Sequence, residues 1–216
     1  MSAREEILAR IRAATADVTE PDPAVDVPLA WEYGRPLGTA DVVGDFVEKV
    51  RDYEATVTPT TASALPADIV AALRALGAAS VVLPAGLPEE WVQAVSDAGL
   101  AVYRDEPPLS KAELNAIDAV LTTAVVGMAD SGTIALDHGP GMGRRVLSLL
   151  PDRHVCVIRA EQIVSDVPEG IARLADAVRA RRPITWLSGG SATSDIELSR
   201  VEGVHGPRHL AVLLVQ

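Results

Sequence analysis

Cysteine is almost absent from this chain of 216 residues, Cys156 being the only one. No intrachain disulfide can form. Iron–sulfur clusters and structural zinc sites draw on several cysteines at fixed spacing, and this chain has no such ligand set. Any redox metal chemistry it takes part in must therefore sit on another chain. Cys156 lies in Val155-Cys156-Val157-Ile158, an apolar run that reads as a buried strand, where a cysteine acts as a small hydrophobe rather than a reactive thiol. Clustered basic charge is missing as well. Lys and Arg number 19 against 30 Asp and Glu, for a net charge of −11, and the cations are scattered, so neither nucleic acid nor an anionic membrane has an electrostatic partner. The longest uncharged apolar stretch, Ala119 to Ala129, is closed by Asp118 and Asp130 and is too short to span a bilayer. The opening residues Met1 to Ile11 mix both charge signs without the apolar core of a secretory signal, which makes the cytoplasm the expected location. No internal repeat or low-complexity block is evident.

What is present is apolar enough, at 48%, to bury a substantial core. Ser2 and Glu5 fit a capping box, and Ile7, Leu8 and Ile11 fall on one face of a first helix. From Thr15 to Pro36 the chain carries Pro21, Pro23, Pro28 and Pro36 among acidic residues, a density that prevents a continuous helix or strand. Trp31 and Tyr33 suggest that the latter part of this segment docks on the body or on a partner. The expected organisation is an N-terminal helix and proline-rich segment over residues 1–36, followed by one domain over 37–216.

That domain alternates short strands with amphipathic helices. Helices are expected at Asp41 to Tyr53, Leu65 to Leu76, Pro88 to Ala98 and from Ser110, where Ser110 and Glu113 form a second capping box, with a helical turn over Arg144 to Leu150. Strands are expected at Ala55 to Thr58, Ala79 to Leu83, Leu100 to Tyr103, Ala119 to Thr123, Thr133 to Asp137, His154 to Ile158 and His209 to Val215. Ile171, Leu174, Ala175 and Val178 give a late helix its buried face, and Trp186 reads as core or pocket wall. The pattern is that of an α/β fold, a mostly parallel sheet flanked by helices. In such sheets ligands bind beyond the carboxyl ends of the strands.

Two tracts break the pattern with glycines and short hydroxyl residues. The first, Asp130-Ser131-Gly132-Thr133, leads directly into a strand, whose exit Asp137-His138-Gly139-Pro140-Gly141-Met142-Gly143 is a glycine-rich loop. Its hydroxyls and backbone amides suit a phosphate or carboxylate, and an ordinary turn held by Asp and Ser side chains has the same composition. The glycine-rich loop lacks the spacing of a Walker loop or a dinucleotide fingerprint. The second tract, Ser188-Gly189-Gly190-Ser191-Ala192-Thr193-Ser194-Asp195-Ile196-Glu197, is followed by Glu202-Gly203-Val204-His205-Gly206-Pro207. In extended form Asp195 and Glu197 share one face. Glu202 beside His205 is the arrangement of a general base, and the same four side chains have the donor atoms for a divalent cation. A capped turn with a structural His205–Glu202 pair is the other reading of these residues, and composition favours it slightly. No metal site is assigned. The ligand-binding candidates are Asp130, Ser131, Gly132, Thr133, Gly190, Ser191, Thr193, Asp195 and Glu197; Glu202 and His205 are the catalytic candidates.

Both tracts resemble one family. Ala129-Asp130-Ser131-Gly132-Thr133-Ile134-Ala135-Leu136 is similar to its first signature, and the second tract, running through Val201-Glu202-Gly203-Val204-His205-Gly206-Pro207, is similar to its ending. The family is the LUD-domain group, also called LutC/YkgG. The chain departs from the common pattern at Gly190, where proline is usual, and at Ser131, where threonine is usual; both changes keep a small or hydroxyl-bearing turn. The resemblance implies a fold like that of the NagB/RpiA/CoA-transferase group. It also implies a role beside iron–sulfur partner proteins in oxidising L-lactate to pyruvate, with a small anionic metabolite as ligand and no cofactor on this chain. It implies no catalytic residues. The alternative is a stand-alone isomerase or CoA/acyl transferase acting on an anionic metabolite, with Glu202 or His205 as base.

Overall fold

Aliphatic runs without alternation, such as Val155 to Ile158, bury both faces of a strand, and strands of that kind form the centre of a parallel sheet. In the computed structural model, which describes residues 2–20, 22, 25, 28, 36, 38–191 and 206–216, six strands form such a sheet, the central ones of this kind. They are β1 (Thr56–Thr60), β2 (Ser80–Leu83), β3 (Ala101–Arg104), β4 (Ala119–Thr123), β7 (Arg153–Arg159) and β10 (His209–Val215), in the spatial order β1-β10-β7-β4-β2-β3. All neighbours are parallel. A smaller sheet, in the order β8-β5-β6-β9, is formed by β5 (Val126–Met128), β6 (Thr133–Leu136), β8 (Ile163–Val164) and β9 (Thr185–Leu187). The α/β fold with a mostly parallel, helix-flanked sheet is thus as the sequence indicates.

Helices cover the large sheet where their apolar positions recur at helical spacing. The helix at Val42–Asp52 is α2, that at Leu65–Ala75 is α3 and that at Glu89–Asp97 is α4, the N-terminal helix Ala3–Ala14 being α1. On one face of the sheet Leu121, Val155, Val157, Ala211 and Leu213 pack against Ile69 and Leu73 of α3 and Trp91 and Val95 of α4. On the other, Cys156, Ile158, Val212 and Leu214 meet Phe46 and Val50 of α2 together with Ile134, Leu136 and Ile163 of the small sheet. The small sheet therefore takes much of the place expected for helices on this second face.

Contact clustering divides the chain into Met1–Arg35 and Pro36–Gln216. In the first unit α1 has the expected capping box, Ser2 Oγ accepting from the Glu5 amide at 3.3 Å and Glu5 Oε2 from the Ser2 amide at 2.7 Å. Ile7, Leu8 and Ile11 are exposed. Trp31 and Tyr33 lie outside the described residues.

Two further expectations are corrected, those for the late helix and for Trp186. The late helix is two short ones, Val167–Arg173 and Ala175–Arg179. They bury Leu174 and Ala177 but leave Ile171 and Val178 exposed, because the break between them shifts the buried stripe. The helical turn expected over Arg144 to Leu150 is present as a 3₁₀ helix, Arg145–Ser148. Trp186 is 45% exposed, since it belongs to β9, the last strand in the order of the small sheet.

The path of the chain matters for function. It runs from β1 through β2 to β3 and then returns through β4, β7 and β10, so the segments leaving β2 and β4 depart in opposite directions. That reversal makes a crevice at the carboxyl ends of the two strands. The glycine-rich loop enters it: the Gly141 amide donates to Ala85 O at 2.8 Å, and Gly141 O accepts from the Thr123 amide at 2.9 Å.

Candidate functional site

The first tract is the turn of the β5–β6 hairpin. Met128 pairs with Thr133, which leaves Ala129, Asp130, Ser131 and Gly132 to reverse the chain, and Gly132 takes φ +58°, a left-handed conformation that favours glycine. The second tract begins where β9 ends. Since Ile134 pairs with Leu187 in antiparallel register, Ser188 falls opposite Thr133, and their hydroxyls hydrogen-bond at 2.9 Å. Thr133 Oγ1 also donates to Ser131 O at 3.3 Å. The structure thus joins the two tracts through side chains 55 residues apart.

Within this cluster Ser131 Oγ is shielded from solvent and has no hydrogen-bond partner among the described residues. A buried hydroxyl without a partner is uncommon and favours any group that can bond to it. Asp130 is exposed, its amide donating to Ser165 O at 3.1 Å. Gly190 and Ser191 are half-buried. Thr193, Asp195, Glu197, Glu202 and His205 lie outside the described residues. Among the described residues no three of His, Cys, Asp and Glu form a metal-ligating group.

The glycines serve close packing. A Cβ on Gly132 would lie 2.6 Å from the backbone carbon of Lys49, and one on Gly189 would lie 2.4 Å from Tyr53 O. Lys49 and Tyr53 belong to the carboxyl end of α2 and its C-cap, so both tracts rest on one helix end. A Cβ on Gly190 would meet Arg208 O at 2.5 Å. Arg208 directly precedes β10, whose first residue, His209, pairs with the first residue of β7, Arg153. The hydroxyl cluster is therefore built toward the amino edge of the large sheet.

The carboxyl edge carries a different set of groups. His138, at φ +58°, has Nδ1 3.0 Å from Gly143 O and Nε2 2.8 Å from Thr185 Oγ1. A carbonyl only accepts, so Nδ1 carries the proton and Nε2 accepts from the threonine. Burial, aided by the charge of Arg145, pushes this imidazole below the ordinary histidine range, against the opposing effects of Gly143 O and Asp137. Asp137 pairs with Arg182 at 2.8 Å. Arg144 grips Asp105 with two bonds of 2.6 Å, a fork that holds the Asp105 carboxyl below its usual range despite burial.

Two cavities open on this edge. One, of about 390 Å³, is lined by Asp105, the Glu106-Pro107-Pro108 turn, Pro140 and Arg144. The other, of about 350 Å³, lies over the ends of β4, β7 and β10 and includes Thr123, Trp91, Met142, Arg159 and Gln162. The glycine-rich loop noted in the sequence supplies Pro140 to both and Met142 to the second. No motif marks the other lining residues, and only the rule that ligands seek carboxyl ends of parallel strands pointed toward them.

Deeper in the sheet, His154 is fully buried, its Nε2 2.7 Å from Thr122 Oγ1 and its Nδ1 without a partner among the described residues. Burial pushes its pKa down to about 4. Burial likewise pushes the Cys156 thiol up to about 12, against a smaller opposing effect of Thr122, which makes this cysteine an inert core residue.

Comparison with known proteins gives a consistent result. Residues 89–215 match the LUD domain. Over 214 residues, 99% of this chain and 95% of the relative, the sequence is 49% identical to "Lactate utilization protein C" of Deinococcus radiodurans. It is 30% identical over 233 residues to an uncharacterised protein of Neisseria meningitidis serogroup B, covering 100% of this chain and 94% of that one. A crystal structure of a DUF162 family protein from Deinococcus radiodurans superposes with a TM-score of 0.71 at 46% identity, over 84% of this chain and 100% of that one.

Proposed function

Because this chain belongs to the LUD-domain family, we propose that it works in lactate utilisation, as the non-redox subunit of a cytoplasmic system that oxidises L-lactate to pyruvate. The observation that carries this reading is the 49% identity, over 99% of the chain, to a protein named for lactate utilisation. Converting lactate to pyruvate removes two electrons and two protons, one hydrogen from the hydroxyl-bearing carbon and one from its hydroxyl oxygen. With one cysteine, buried at Cys156, this chain has no ligand set for an iron–sulfur cluster. The electrons are carried by iron–sulfur partner proteins, and this subunit binds the small carboxylate and organises the assembly.

The carboxylate binds at the joined tracts. Ser131 Oγ, shielded and without a partner among the described residues, donates to it beside the Thr133–Ser188 pair, with Gly132, Gly190 and Ser191 completing the wall and Asp130 at its rim. Thr193, Asp195 and Glu197 of the second tract are the remaining binding candidates. Hydroxyl donors suit a carboxylate without requiring a cation.

Growth on L-lactate as sole carbon source tests this directly. A strain lacking the gene should fail to grow, the intact gene should restore growth, and a Ser131→Ala/Thr133→Val double variant that still folds should not. Normal growth of the deleted strain would remove the lactate reading, and full rescue by the double variant would remove the site.

A further inference from the structure

We propose that the cavity over the ends of β4, β7 and β10 is a second ligand site, one that takes a monocarboxylate with an apolar body larger than that of a three-carbon acid. Its residues are separate from the hydroxyl tracts, and the proposal stands independently of the lactate reading.

The construction is that of a binding pocket. Its floor is made by the ends of three strands that are neighbours in the sheet: Thr123 is the last residue of β4, Arg159 of β7 and Val215 of β10, with β4 stopping two residues before β7. Val157 lies beside Thr123 in register. The walls are apolar, with Leu65 from the start of α3, Trp91 from α4, and Pro140 and Met142 from the glycine-rich loop. At about 350 Å³ the space lies within the roughly 300–1,000 Å³ range of small-molecule sites, which combine apolar walls with a few placed polar groups.

Those polar groups define the ligand. Arg159 is exposed at the rim and makes no ion pair with any described residue. A guanidinium presents a planar fork that matches a carboxylate. The backbone of Arg159 is held by Gln162, whose Oε1 accepts from the Arg159 amide at 2.8 Å while its Nε2 donates to Ala124 O at 2.6 Å and Val125 O at 3.1 Å. That one amide ties the end of β7 to the end of β4 across the rim. Thr123 Oγ1 makes no hydrogen bond to a described residue and is left to meet a hydroxyl or carboxylate oxygen. Glu90 lines the same space, and a carboxylate there repels a second negative charge while accepting from a hydroxyl. One cation, one anion and an indole wall select a monoanion that carries a donor and an apolar group.

A suitable probe is 3-phenyllactate, which has a carboxylate, a hydroxyl and a phenyl ring, added to the full-length protein and followed by amide and indole NMR shifts. Saturable binding is expected, with shifts centred on Thr123, Gln162 and the Trp91 indole. The Arg159→Gln variant should bind at least tenfold more weakly while keeping the native spectrum elsewhere. The matched neutral diol, 3-phenyl-1,2-propanediol, should lose a similar factor against the unaltered protein. Absence of saturable binding, equal affinity in Arg159→Gln, or shifts centred on Ser131, Thr133 and Ser188 would each overturn the proposal. L-lactate serves as the size control: shifts at Thr123 and Gln162 with lactate affinity matching that of 3-phenyllactate would remove the claim of an apolar body.

Discussion

Thr133 and Ser188 stand opposite each other on antiparallel strands and share a 2.9 Å hydrogen bond, and this single contact fastens the hairpin turn of the first tract to the start of the second. Replacing Thr133 with Val keeps the branched shape and removes the hydroxyl. The loss should be about 0.5–1.5 kcal/mol, the ordinary value of such a bond, read as a lower urea midpoint with an unchanged slope. An equal midpoint in the variant would mean the contact does not form in solution.

Gly132 has a stricter requirement. It holds φ +58°, and an added Cβ would sit 2.6–2.8 Å from Lys49 backbone and Cβ atoms, so Gly132→Ala strains the turn and pushes it off α2 at once. A cost at the upper end of the roughly 1–3 kcal/mol associated with such conformations is expected. Gly77, at φ +70° with nothing within 4 Å of its built Cβ, supplies the control. Gly77→Ala meets the strain without the collision and should cost less; if the two variants melt together, packing against Lys49 is not what fixes Gly132.

His154 predicts a pH dependence. An exposed imidazole in the unfolded chain takes its proton near 6.5, whereas the buried one holds off until about 4. Between these values the unfolded state binds more protons, so stability rises with pH across the window. The contribution is complete above about pH 6.5 and is lost as pH falls toward 4. Its full size is on the order of 3 kcal/mol for one proton over that interval. Urea unfolding at several pH values should show this slope in the wild type and a flatter one in His154→Phe. Parallel curves would show that another group titrates.

Local chemistry made much of this fold legible in advance. The capping boxes at Ser2–Glu5 and Ser110–Glu113 form as their spacing requires, and the long aliphatic runs of β7 and β10 could only be central strands. The small sheet was harder to see. Two of its unexpected strands, Ile163–Val164 and Thr185–Leu187, are too short to show any period. The third, Val126–Met128, follows β4 after a brief bend, so the two read as one apolar stretch. Ser131 and Thr133 stood out because hydroxyls and a glycine interrupt apolar sequence. Arg159 and Thr123 did not, because their meaning comes from strands that end side by side, a relation fixed by topology and absent from any local window.

Pro140 belongs to the walls of both carboxyl-edge cavities, and it is packed so closely on Gly86 that a Cβ there would come within 2.7 Å of its ring. The glycine-rich loop is accordingly a partition between two chambers. Proline keeps its own φ and has no amide to satisfy, so the partition stands by shape and by the bonds of Gly141 behind it. Any displacement of the loop that widens one chamber narrows its neighbour, and the two compartments cannot be resized separately.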